Sequence, residues 1–170
     1  MGTVTWRHGM GLVIGALAAW LVILAFLSLY AALYGQGFLS PFQGSRDAFG
    51  LTGTTGLVLL LLLDLVIPFL AGVGFLLALL VLSRTRLTLL GFSRRRQAAF
   101  DGLLLGTAVW ALLYVPVILV VAGIPLHDAV TPLTMGLIDH LAFGATMVLV
   151  IFHVGGPVRF GGDPASAPGP

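Results

Sequence analysis

An all-α, polytopic membrane fold of four transmembrane helices follows from three observations. The chain of 170 residues is 59% hydrophobic and 8% charged, with a mean hydropathy of +1.11, outside the range of a water-soluble domain. Its apolar residues fall into four runs of membrane-spanning length, 12–34, 57–82, 102–122 and 133–152. Spanning a hydrocarbon layer of about 30 Å takes ~20 residues at about 1.5 Å each. Seven of the eight arginines fall on one side of a four-span arrangement, which by the positive-inside rule places both termini in the cytoplasm, N-in and C-in. A four-helix domain over 1–153 then leaves a disordered cytoplasmic tail, 154–170, rich in Gly, Pro, Ala and Ser. The expected location is the inner (plasma) membrane, multi-pass.

The first run is longer than the apolar core of a cleaved leader and has no small-x-small cleavage site after it, so it reads as a true helix. Trp6-Arg7-His8 anchors its start, and Tyr30 and Tyr34 mark the opposite interface. Gly11-x-x-x-Gly15, followed by Ala18 and Ala19, forms a smooth strip for close helix approach. The outer loop, 35–56, carries Ser40-Pro41-Phe42 and Phe49 for the bilayer surface, and Arg46-Asp47 as two solvated charges. The second run contains Asp64 and Pro68; a proline four residues on leaves the residue 64 carbonyl without its helical donor, so a bend is expected there. Asp64 lies about 27 Å from the inner end of its run, where it either reaches outer water or serves a site.

The loop 83–100 interleaves five arginines with apolar residues and is expected to lie on anionic headgroups of the bilayer over 84–96, with Ser93 as cap of the next helix. The third run opens with Asp101-Gly102-x-x-x-Gly106, a second close-approach strip, and then presents Trp110, Tyr114 and Pro116. After an outer turn, 124–132, that includes His127 and Asp128, the last run sets Asp139 and His140 about 18–20 Å from its inner end, the level of Tyr114. Asp139, Thr146 and His153 share a face, and His140 lies between Gly136 and Gly144 on the neighbouring one. Each hairpin thus starts on a Gly-x-x-x-Gly helix bearing a Trp and returns on a helix with an aspartate in its outer half, the pattern of a parallel pseudo-repeat.

Ionisable groups at membrane depth cost about 2.5–3.5 kcal/mol each, so they are expected to face the bundle and one another. The candidate proton or ligand site is Asp64, Tyr114, Asp139 and His140, with no intramembrane arginine to pair the acids. Metal binding has His127, Asp128, Asp139 and His140 as its only candidates, without metal-ligand spacing. Haem binding has His140 and His153, thirteen residues apart, without matching histidines on the second or third helix, so no cofactor is expected. Disulfides and thiol chemistry are excluded by the absence of cysteine, and no nucleophile elbow, Walker loop or dinucleotide fingerprint occurs. With a net charge of +2, nucleic acid is not an expected partner.

Gly102-x-x-x-Gly106, Trp110 and Tyr114-x-Pro116, followed by His140-Leu141-Ala142-Phe143-Gly144, give the second half a resemblance to YagU-like small inner-membrane proteins, a family of unknown function. The resemblance implies an inner-membrane bundle and no particular activity. The chain therefore reads as a small membrane accessory or binding subunit, not an enzyme, which can join a homo- or hetero-oligomer through its Gly-x-x-x-Gly faces. The alternative is a small proton-coupled transporter or proton relay.

Overall fold

The computed structural model describes residues 4–37, 43, 46, 50–85 and 95–157. Their regular structure is entirely helical: α1 (Trp6–Leu33), α2 (Gly53–Thr85), α3 (Arg95–Val121, with π-helical turns at Trp110–Tyr114 and Val117–Val121) and α4 (Leu126–Gly155). All four are long and apolar enough to cross a membrane, which makes this a multi-pass membrane protein by length and composition. Large apolar side chains such as Leu21, Leu62, Leu70, Leu112 and Val120 are exposed around the outside, where lipid would cover them. Residues 1–3, 38–42, 44–45, 47–49, 86–94 and 158–170 lie outside the described residues, and with them Ser40-Pro41-Phe42, Asp47, Phe49, Ser93, most of the arginine loop and nearly all of the tail.

The helices outrun the apolar stretches. α3 and α4 each start seven residues before the apolar run that announces them, at Arg95 and Leu126, because backbone hydrogen bonding persists beyond the point where side chains turn polar. The expected outer turn is correspondingly short: His127, Asp128 and Pro132 belong to α4, whose first turn receives the dipole-favoured Asp128. Within α4, Pro132 withholds a donor from the Asp128 carbonyl, yet the helix runs on to Gly155. In α3 the missing donor of Pro116 falls between the two π turns, which close with Val115 N–H to Trp110 O and Ala122 N–H to Val117 O.

α4 is the hub. It packs broadly on α1 and α3, whereas α2 leans mainly on α1 and makes little contact with α3 or α4. Small residues set these distances. A Cβ on Gly102 would stand 2.5 Å from the Gly144 carbonyl oxygen, and one on Gly106 would overlap the His140 carbonyl, so α3 and α4 meet backbone to backbone. On the other side, a Cβ on Gly11 would lie 2.9 Å from Ile151 Cα and one on Gly15 3.0 Å from the Met147 carbonyl oxygen. Both Gly-x-x-x-Gly strips thus face α4 of the same chain. Around them close Leu12, Ala16, Ala19, Phe75, Phe143, Met147, Val148 and Ile151, the buried core.

A polar clasp closes the end of the bundle that holds the termini. Thr5 caps α1, and its N–H donates to His8 Nδ1 (3.0 Å), which leaves Nε2–H to donate to the Gly156 carbonyl (3.3 Å). The sequence places His8 at a membrane end as an anchor; in the fold it is only 2% exposed and ties the start of α1 to the end of α4.

Candidate functional site

Helix register decides whether the intramembrane acids meet. Gly72 of α2 lies against the side chains of both Leu12 on α1 and Met147 on α4. Asp64 is eight residues from Gly72 and Asp139 eight from Met147, in the same direction on two helices that run parallel, so both carboxyls lie at one depth. They are within electrostatic reach of each other, and Asp139 is within reach of Tyr114. Asp139 sits close to the midpoint of α4 (126–155), whereas Asp64 lies in the first half of α2 (53–85).

Each member is held by a neighbour the sequence supplies. The Tyr114 ring lies against Gly136, where any Cβ would overlap it, and its hydroxyl donates to the Pro132 carbonyl (3.4 Å). One turn earlier, Trp110 Nε1–H donates to the Leu133 carbonyl (2.9 Å). The Tyr114 and His140 rings have centroids 5.0 Å apart, and Phe143 meets His140 edge-on at 6.3 Å. His140 Nδ1 is 2.7 Å from the Gly136 carbonyl oxygen, an acceptor only, so Nδ1 carries the proton and Nε2 presents its lone pair. Asp139 is 8% exposed, and its Oδ1 is buried with no hydrogen-bond partner among the described residues.

The structure therefore brings Asp64, Tyr114, Asp139 and His140 to one layer, contributed by α2, α3 and α4. It separates the other candidates. His127 and Asp128 pair with each other (3.2 Å) on the exposed first turn of α4, about three helical turns from Asp139, and among the described residues no three metal-ligating side chains converge. His153 is exposed and about 20 Å along α4 from His140, while His8 has both ring nitrogens engaged.

Two further polar groups are buried in a way that their place in the sequence does not show. Asp101, which opens the third apolar run, is 1% exposed. Trp20 lies in the apolar run of α1, and its Nε1 is buried without a partner among the described residues. No spacing rule marks Trp20, whereas Thr5-x-x-His8 has the spacing of a capping box with His in the place of Glu or Gln. No protein-family model, curated protein or solved structure matches this chain.

Proposed function

We propose that the chain is a membrane-embedded proton-binding protein, a small proton-linked transporter or relay, with both termini cytoplasmic in the inner membrane. One observation carries this reading: Asp64 and Asp139 share a depth in the apolar layer, in electrostatic reach, with no arginine at that level. A carboxylate there is costly, and a second in electrostatic reach more so; protonating one of the two relieves much of the penalty. His140 Nε2 supplies an acceptor in the same layer, so a proton has more than one place to rest. The Asp64 carbonyl, deprived of its donor by Pro68, adds a further acceptor on α2. The sparse contact of α2 with α3 and α4 supports a site that can open towards one side or the other.

The experiment is proton flux into vesicles containing the purified protein and an internal pH dye, under an imposed pH gradient. Asp139→Asn and Asp64→Asn are each expected to lower the flux at least about tenfold, the scale on which losing a positioned proton-transfer group is felt. Wild-type flux in Asp139→Asn overturns the reading. A second reading, an accessory or binding subunit without catalytic activity, draws on the same loosely covered flank of α2. It is favoured if the wild-type protein carries no flux and a partner co-purifies with it in mild detergent.

A further inference from the structure

The acid layer has a contributor from the remaining helix. Leu12 touches Gly72, and α1 runs antiparallel to α2, so Trp20, eight residues beyond Leu12, stands at the depth of Asp64, eight residues before Gly72. Every helix then places a polar group in a layer about one helical turn deep: Trp20 on α1, Asp64 on α2, Tyr114 on α3, and Asp139 with His140 on α4. Within it one buried donor, Trp20 Nε1, and one buried acceptor, Asp139 Oδ1, have no partner among the described residues. An indole N–H has no acceptor capacity and no alternative donor geometry, so it can be satisfied in that layer only by an oxygen or nitrogen lone pair. Leaving a buried donor without an acceptor in an apolar interior is costly, and a state in which it is paired relieves that cost.

We propose that Trp20 is a positioning residue of the acid pair, whose Nε1–H forms a hydrogen bond to the Asp64–Asp139 carboxyls when they ionise. This rests on the proton-binding reading above. When a proton leaves the pair for the aqueous phase, a carboxylate oxygen gains full acceptor strength and Trp20 Nε1–H turns to it; when the proton returns, the bond is released. A charge-assisted bond is about twice as strong as a neutral one, so the donor discriminates between the two states. The titratable groups facing the layer are Asp64 from α2, Tyr114 from α3, and Asp139 and His140 from α4. α1 contributes none between His8 and Tyr30; its other polar side chain in that stretch, Ser28, lies about two turns away and donates to the Leu24 carbonyl.

The test uses the full chain in lipid nanodiscs, with ¹⁵N-labelled indoles and Trp6→Phe and Trp110→Phe changes to leave one resonance. Infrared absorption of the protonated carboxyl group follows the acid pair independently. As the carboxyl band disappears with rising pH, the Trp20 Nε1–H resonance is expected to move downfield, and in Asp64→Asn/Asp139→Asn it is expected to stay fixed. Trp20→Phe, which keeps a ring and loses the donor, is expected to lower vesicle proton flux about fivefold to tenfold, one charge-assisted hydrogen bond's worth. A resonance that stays fixed while the carboxyl band titrates overturns the role of Trp20 and leaves the proton site standing. A resonance that still moves in the double variant overturns it as well. A carboxyl band that never titrates overturns both.

Discussion

The two hairpins begin alike, each on a helix with glycines four residues apart, yet they spend those glycines differently. In α3–α4 the strip of Gly102 and Gly106 faces the hairpin's own second helix, across Gly144 and the His140 carbonyl. In α1–α2 the strip of Gly11 and Gly15 turns away from α2 and lies on α4, near Met147 and Ile151. The sequence-level symmetry is therefore not kept in packing. α2 is left to make its contacts through side chains, Phe75 and Leu76 among them, and carries Asp64 on the helix least fastened to the rest. Under the proposed proton-binding reading, one acid stands on a firmly seated helix and the other on a loosely seated one, which would give the site a direction in which to open.

The sharpest way to break this contrast is to place bulk in the seam. Gly106→Leu forces side-chain carbon into the His140 backbone, which cannot give way, and is expected to cost about 3 kcal/mol or more, or to abolish folded protein, in thermal unfolding in detergent. Next comes the clasp: His8→Ala removes the partner of the Thr5 N–H and the tie to Gly156, with an expected loss of about 1–2 kcal/mol in the same assay. Gly72→Leu on α2 meets Leu12 Cδ1 and Met147 Sδ, the far ends of flexible side chains. Its expected cost is about 1 kcal/mol, well below that of Gly106→Leu; equal costs would show that α2 is seated as rigidly as α3. Smallest, Tyr114→Phe loses a single long hydrogen bond, about 0.5 kcal/mol, and melts close to wild type.

Hydropathy marks the four helices because lipid leaves no other place for long apolar runs, and it misses their ends because Arg95 and His127 are helical without being apolar. The meeting of Asp139, His140 and Tyr114 is legible from Gly136, Gly144 and the matching levels of two neighbouring spans. The depth of Asp64 is not: counted from the inner end of its apolar run it falls towards the outer surface, and only the contact of Gly72 with Met147 sets it level with Asp139. Trp20 is hidden for a different reason. An indole in an apolar stretch reads as bulk, and whether its N–H finds a partner depends on three other helices. The π turns around Pro116 likewise follow from how α3 closes its hydrogen bonds, which hydropathy does not encode.

Because α1 has its glycine strip against α4, its proper neighbour is the last of the four helices to leave the ribosome. If the chain inserts as it is made, the first helix would wait, with α2 as a provisional companion, until more than a hundred further residues have been made. A chain halted after α3 would have neither seam: it would be three helices sharing a bilayer, exposed to quality-control proteases.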